Sequence, residues 1–224
     1  MGKETNNGPL CEKQEINGVE TKLTSQQEHV KELVLQGESI YFTGSAGTGK
    51  SYLLQKLISL LQEKHGKKRV GITSTSGIGA EIIAGTTLHS FLGIGVDSDL
   101  TEEVLLERIL SARSSYARRN WRRTQVLIID EISMLDGELF DKLESLARKI
   151  RRNDEPFGGI QLVLTGDFCQ LPPVGKSPRY CFEAKLWSSC ITKTISLTQV
   201  FRQKTSWFIN YLQAIRFGRL SKKG

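Results

Sequence analysis

The residues best suited to chemistry form a glycine-rich run, GSAGTGKS at 44–51, which fits the spacing G-x-x-x-x-G-K-[ST]. Its glycines let the backbone turn so tightly that several N–H groups point inward at phosphate oxygens. A helix that begins there adds the positive end of its dipole. Lys50 is expected to reach the terminal phosphates and the Ser51 hydroxyl to ligate Mg²⁺. The predicted nucleotide contacts are Gly44, Ser45, Ala46, Gly47, Thr48, Gly49, Lys50 and Ser51.

Two acidic residues, Asp130 and Glu131, follow the apolar run VLII. They therefore lie at the carboxyl end of a buried strand, which is where ligands bind in open α/β sheets. We expect Asp130 to hold Mg²⁺ through water and Glu131 to act as general base toward an attacking water. The adjacent glutamate favours hydrolysis over transfer to a hydroxyl. Because the chain has no guanine-reading N-K-x-D segment, ATP is the expected nucleotide.

A third segment, LTGDFCQLPPV at 164–174, reads as a strand that ends in a turn. The amide of Gln170 can donate to a phosphate and accept from water, so Gln170 is a candidate sensor of the γ-phosphate. The alternative is an ordinary strand-to-turn connection with no role in chemistry.

The elements around these residues alternate between strands and helices. Apolar β-rich runs predict strands at 39–44, 69–73, 125–130 and 160–166. Helical spacing predicts helices that end near Gly37 and Gly66, a helix over 137–150, and a last one over 206–216. Such alternation indicates an α/β fold with a parallel sheet flanked by helices, that of a P-loop NTPase.

Composition narrows the class of protein further. The 224 residues suit one domain, or one domain with an appendage. The net charge of +7 makes a polyanion partner plausible, although a basic surface can also serve solubility alone. Five arginines lie within 113–123, either as a solvated helix end or as a phosphate-contacting patch. The four cysteines form no C-x-x-C pair and read as reduced thiols of an intracellular protein. No apolar run approaches the ~18 residues of a membrane span.

Taken in order, GSAGTGKS, TSTSGIGAEIIAGTTLHSFLGIG, LIIDEISM, PFGGIQLVLTGDFCQLPPV and LTQVFRQ resemble the first, RecA-like motor domain of superfamily-one DNA helicases. More narrowly, the chain is similar to the petite-integration-frequency helicases, which move 5′ to 3′ on single-stranded DNA. DKLESLARKIR at 141–151 resembles the signature that separates this family from its RecD-like relatives. The resemblance covers about nine-tenths of the chain, from Leu23 onward.

The resemblance implies further roles, position by position. Gln27 is similar to the family's adenine-reading glutamine, and Arg202 to the arginine that stabilises charge at the γ-phosphate. Lys50, Glu131, Gln170 and Arg202 are then the catalytic set. Candidate DNA contacts are Thr75, Ser76, Gly77, His89 and Phe91. Small hydroxyl groups and amides can hold DNA phosphates, and the two rings could stack on a base. For Phe91 the alternative is core packing.

The same resemblance suggests how the chain is divided and used. We expect a flexible tail at 1–21, the ATPase domain at 22–200, and at 201–224 the start of a segment leading to a second motor domain. Motifs of that second domain, H-x-x-Q-G and A-L-S-R, do not occur in the sequence. The expected function is an ATP-dependent helicase motor for forked or G-quadruplex DNA in telomere maintenance, repair and recombination. It would act as a monomer in the nucleus or mitochondrion; the alternative is a truncated module that binds nucleotide and DNA without unwinding.

Overall fold

A computed structural model describes residues 22–95, 100–111, 115–175, 178–201, 211 and 214–219. The strands are β1 (Ile40–Gly44), β2 (Val70–Ser74), β3 (Thr86–Thr87), β4 (Val126–Asp130), β5 (Gln161–Gly166) and β6 (Lys193–Leu197). The helices are α1 (Ser25–Gln36), α2 (Lys50–His65), α3 (Gly77–Ile82), α4 (Leu88–Leu92), α5 (Glu102–Leu110), α6 (Ser115–Arg123), α7 (Gly137–Arg151) and α8 (Trp187–Cys190).

All six strands form one parallel sheet in the order β3-β2-β4-β5-β1-β6. Its register pairs Ser74 with Asp130, and Thr43 with Gly166. Because parallel strands end at the same edge, the loops that follow β1, β2, β4 and β5 meet there. The predicted α/β class, a RecA-like sheet flanked by helices, is confirmed.

Helices cover both faces of the sheet, so the central strands are apolar on both sides. Side chains alternate along each strand: Leu127 and Ile129 face one core, and Val126 and Ile128 face the other. The first core lies against α4 to α7 and includes Trp121, Phe140 and Phe157. The second lies against α1 and α2 and includes Leu53, Leu54, Leu57 and Leu61.

Sequence-based boundaries differ from the observed ones by one residue at all four predicted strands. Three of them begin one residue later than expected, at Ile40, Val126 and Gln161, and β2 is displaced by one, to Val70–Ser74. Strand ends differ by this much between criteria. Elements α3 to α6, α8, β3 and β6 were not predicted. The expected last helix at 206–216 falls mainly outside the described residues.

The helix ends follow their capping residues. Thr24 and Gln27 form a reciprocal capping box at α1, and Gly37 closes that helix in the left-handed conformation. Asp136 caps α7 by accepting from the backbone N–H groups of Glu138 and Leu139. Among the described residues, none of the helices is long and apolar enough to cross a membrane.

Trp121 anchors α6 to the rest of the domain. Its ring is fully buried and its indole Nε1 donates to the carbonyl of Leu92 at 2.9 Å. We expect Trp121→Ala to lower the free energy of unfolding by about 3–5 kcal/mol, because a large cavity forms and a carbonyl loses its donor. Urea denaturation measures this. The exposed Arg119→Ala on the same helix should change stability by less than about 0.5 kcal/mol; equal effects would contradict this packing role.

Candidate nucleotide site and nucleic-acid contacts

The glycine-rich loop connects β1 to α2. Gly47 and Gly49 adopt positive φ angles of 86° and 81°, which residues with side chains rarely reach. Gly49 is the N-cap of α2 and no side chain caps this helix end. The first N–H groups of α2 are therefore directed into the loop, as an anion site requires. This agrees with the loop geometry expected from the sequence.

Lys50 lies across this loop. Its Nζ donates to the carbonyls of Gly44 at 2.6 Å and Ser45 at 3.2 Å. Burial lowers the pKa of Lys50, while the nearby carboxylates of Asp167 and Glu131 oppose that shift. Carbonyls alone hold this ammonium within the part of the chain that the structure describes, so its charge is available to an anionic ligand.

Asp130 ends β4 and Glu131 follows it, at the same edge of the sheet. Asp130 Oδ1 accepts from the backbone N–H of Glu131 at 2.9 Å. Burial raises the pKa of Asp130 to about 6, with the neighbouring Glu131 adding to the shift. A carboxylate in such surroundings is stabilised by a cation, and oxygen donors such as Asp130 and the Ser51 hydroxyl suit Mg²⁺.

Glu131 has an unusual backbone for its residue type. Its φ of 55° and ψ of 40° place it in the left-handed region, which favours glycine and asparagine. Such conformations occur preferentially at functional sites, where the surrounding fold holds them. Thr75 contributes to this restraint, since its hydroxyl donates to the carbonyl of Glu131 at 2.7 Å.

Asp167 organises the turn that carries Gln170. Its backbone carbonyl accepts from the N–H of Gln170 at 2.8 Å, and its Oδ1 accepts from the N–H of Cys169 at 3.1 Å. The Gln170 side chain is exposed on this turn, with Nε2 at 3.5 Å from Asp167 Oδ2. The role of Gln170 as a sensor of the γ-phosphate stays a prediction.

Arg216 is the contact that sequence reasoning missed. Its Nε and Nη2 donate to the two carboxylate oxygens of Asp167 at 2.8 and 2.7 Å. Asp167 is only 2% exposed. Burial raises the pKa of this carboxyl, but the hydrogen bonds and charge of Arg216, the N–H of Cys169 and the charge of Lys50 together outweigh burial, and the pKa is lowered. Asp167 and Arg216 are 49 positions apart in the sequence, so no local sequence pattern predicts their contact.

Gln27 lies beside the loop. It is 3% exposed and its amide is engaged at both ends. Oε1 accepts from the backbone N–H of Thr24 at 3.0 Å, and Nε2 is 3.4 Å from the carbonyl of Thr48. A base could be read by exchange of the longer contact. The adenine role stays a prediction.

Comparison with known proteins identifies this architecture. A family model described as PIF1-like helicase matches residues 22–224. The chain belongs to the PIF1-like helicase family. It is 50% identical over 205 residues to the ATP-dependent DNA helicase RRM3 of Saccharomyces cerevisiae, covering 89% of this chain and 28% of that protein.

Solved PIF1-like structures agree with the fold. The Pif1 helicase from Candida albicans superposes with a TM-score of 0.85 at 46% identity, covering 90% of this chain and 45% of that one. The Bacteroides Pif1 in complex with ADP-AlF3 and single-stranded DNA gives a TM-score of 0.74 at 30% identity, covering 89% and 47%. The chain thus spans less than half of each of these relatives.

The DNA contacts expected from the PIF1-like resemblance start just after β2. The Ser76 hydroxyl accepts from the N–H of Gly79 and caps α3, and Gly77 opens that helix in an exposed position. Thr75 is half-buried through its bond to Glu131. These three residues lie next to the acidic pair at the same sheet edge. Their DNA-binding role stays a prediction.

The two rings of α4 differ in their surroundings. His89 is half-buried, and burial lowers its pKa, which favours the neutral imidazole. Phe91 packs against the core, with its ring over Gly71: a Cβ placed on Gly71 would lie 2.8 Å from Phe91 Cζ. This position favours the packing alternative for Phe91. Arg202 lies outside the described residues, so its predicted role is unaddressed.

The Asp167–Arg216 pair predicts a pH-dependent stability difference. At neutral pH, Arg216→Ala should lower the free energy of unfolding by about 2 kcal/mol, because a buried carboxylate loses its charged hydrogen-bond donor. Since Asp167 titrates below its ordinary pKa of about 3.9, the pair stabilises the fold above that pH and the contribution is lost as pH falls through the lowered value.

Denaturant titrations at several pH values test this pair. The gap between wild type and Arg216→Ala should narrow in acid. The control is Arg219→Ala, an exposed arginine of the same segment, which should match wild type throughout. A gap that is independent of pH would contradict the ion-pair account.

Phe91 allows the packing and stacking roles to be separated. Phe91→Ala should lower the free energy of unfolding by about 2 kcal/mol, less than for a fully buried phenylalanine, and leave single-stranded DNA affinity unchanged. Thermal melting and fluorescence anisotropy measure the two effects. His89→Gln is the comparison variant, with DNA affinity reduced and stability little changed. A loss of affinity without a loss of stability in Phe91→Ala would indicate stacking.

Proposed function

We propose that this chain is the nucleotide-binding motor domain of an ATP-dependent DNA helicase. The observation that carries the proposal is the position of Lys50, within a phosphate-type loop whose sheet edge also presents Asp130 and Glu131. The relatives are named ATP-dependent DNA helicases, and a related Bacteroides Pif1 holds single-stranded DNA together with a nucleotide analogue. The chain spans only part of these relatives, so helicase activity of the whole protein is also part of the proposal.

Each residue has a distinct part in this proposal. Backbone N–H groups of the loop and the Lys50 ammonium would bind the β- and γ-phosphates. Mg²⁺, held by Ser51 and Asp130, would neutralise charge on the phosphate oxygens. Glu131 would accept the proton of the attacking water.

The sensing and reading groups complete the proposed site. Gln170 would bridge water and phosphate, and Arg202 would stabilise charge at the γ-phosphate. Gln27 would read adenine. The absence of an N-K-x-D segment in the sequence supports ATP over GTP.

The hydrogen bond from Thr75 to the Glu131 carbonyl supports a link between DNA and hydrolysis. The segment proposed to touch single-stranded DNA is attached to the residue proposed to activate water. DNA that fixes Thr75, Ser76 and Gly77 would thereby also fix the backbone of Glu131. Hydrolysis stimulated by single-stranded DNA is the expected consequence.

Finer features of the proposed function come from family resemblance. These are 5′-to-3′ movement, action on forked and G-quadruplex DNA, and roles in telomere maintenance, repair and recombination. A monomer acting in the nucleus or mitochondrion completes the proposal. The second candidate is a non-motor module that binds nucleotide and DNA without turnover.

The deciding measurement is ATP hydrolysis by the 224-residue chain, with and without single-stranded DNA. Stimulated turnover supports the motor proposal. In that case Lys50→Ala should reduce turnover about a hundredfold or more, since it removes a preorganised charge at the phosphates. Lys56→Ala on the same helix, beside the Tyr52 ring, is the control and should hydrolyse normally.

Two other outcomes would change the conclusion. Nucleotide binding without turnover in either condition favours the non-motor module. Turnover in Lys50→Ala equal to wild type would contradict the assignment of the nucleotide site.

A further inference from the structure

A basic cleft lies at the opposite edge of the sheet from the nucleotide loop. It has a volume of about 780 Å³ and is lined by His65, Gly66, Lys67, Lys68, Arg69, Arg122, Arg123, Gln125 and Arg151. Six of these nine residues carry permanent positive charge. No carboxylate is among the described residues that line it.

Topology separates this cleft from the nucleotide site. Arg69 immediately precedes β2 and Gln125 immediately precedes β4, so the cleft opens at the amino ends of these strands. Asp130 ends β4 at the other edge, and a five-residue strand spans about 15 Å. No single phosphate chain on the loop at 44–51 would reach the cleft.

Arg151 gives the cleft a fixed wall. Its guanidinium donates to the carbonyls of Gly158 at 2.5 Å, Trp121 at 2.7 Å and Thr124 at 2.9 Å. These bonds tie the end of α7 to the end of α6. Because the three partners are uncharged carbonyls, Arg151 keeps its full positive charge in the wall while its position is fixed.

The other cations of the cleft are held close together without compensation. Lys67, Lys68, Arg69, Arg122 and Arg123 are all exposed. Within the ranges that the structure describes, none of their side chains forms an ion pair or a hydrogen bond. Like charges gathered in this way repel one another, and a bound polyanion would offset the repulsion.

The basic surface is larger than the area that a single phosphate group would contact. A second cavity, of about 560 Å³, shares Arg122 and Arg151 with the cleft and adds Ile150, Arg152 and Asn153. Cations thus continue from the segment before β2 to the end of α7. A surface of this extent suits a polymer of phosphates better than a single phosphate group.

We propose that the basic cleft binds the phosphodiester backbone of duplex DNA. Neither cavity is lined by Phe, Tyr or Trp among the described residues, so the aromatic platforms that hold single strands are missing from the lining. Lysine and arginine contacts with phosphates position a duplex without reading its sequence. The choice of DNA rests on the proposed function, and the cleft would hold a DNA segment other than the single strand at the carboxyl edge.

The test compares two charge-matched triple variants of the full chain. The cleft variant is Lys68→Gln, Arg122→Gln and Arg123→Gln. The control is Lys22→Gln, Arg179→Gln and Lys185→Gln, three exposed residues outside the cleft. Both lower the net charge equally. Affinity for a short blunt-ended duplex is measured by fluorescence anisotropy over a series of salt concentrations.

We expect the cleft variant to bind duplex at least about tenfold more weakly at low salt. Its slope of log affinity against log salt should be smaller in magnitude by about 2–3, near 0.9 for each phosphate that the protein no longer neutralises. The control should keep most of the wild-type slope. Equal reductions of affinity in both variants, or an unchanged slope in the cleft variant, would overturn the proposal.

Two further measurements separate this proposal from the proposed function. Binding of a fluorescent ATP analogue reports on folding and should be the same in all three proteins. Affinity for oligothymidylate should be little changed in the cleft variant, and a reduction as large as that for duplex would overturn the assignment to duplex. If wild type shows neither nucleotide nor single-strand binding, the helicase proposal fails while the duplex comparison still stands.

Discussion

Parallel pairing of the strands is the constraint on which the candidate site depends. It brings the loops after β1, β4 and β5 to one edge, and with them Lys50, Asp130 and Asp167. At that edge, burial and neighbouring charges shift the pKa values of Lys50, Asp130 and Asp167. Burial opposes charge on Lys50 and Asp130 alike, and a bound polyphosphate with its cation would supply the missing compensation.

Two contacts connect this edge of the sheet to the polypeptide that follows β6. Arg216 reaches Asp167 from the last described segment of the chain, and Phe201 donates its backbone N–H to the carbonyl of Gly47 at 2.8 Å. The polypeptide beyond β6 therefore returns to both the turn of Gln170 and the phosphate loop. A change in nucleotide state would be felt by that segment through a bidentate ion pair and a main-chain hydrogen bond.

Sequence reasoning succeeded where chemistry and chain position are local. The loop at 44–51 lies between a strand and a helix, and four apolar residues before Asp130 mark a buried strand; both features are complete within about ten residues. The parallel sheet followed from the alternation of elements. Roles of individual side chains at 75–77, and of Gln27, still rest on resemblance.

What escaped prediction depends on distant contacts or weak patterns. Strand β6 is an edge strand with exposed Lys193 and Thr194, so it lacks a continuous apolar run. Helix α6 is so rich in arginine that only Ala117 and Trp121 show which side is buried. Arg216 contacts Asp167, and Arg69 lines the same cleft as the end of α6, only in the folded chain. No window of sequence contains either pair.

The left-handed backbone of Glu131 has a consequence for variants that are selected for higher thermal stability. A glycine at that position would adopt the same φ without strain. In glutamate this backbone conformation costs on the order of 1 kcal/mol. A substitution that relieves this strain would then also remove the carboxylate that we propose as the general base. If Glu131 has that role, a screen for thermal stability alone would select variants that are more stable and less active at this position.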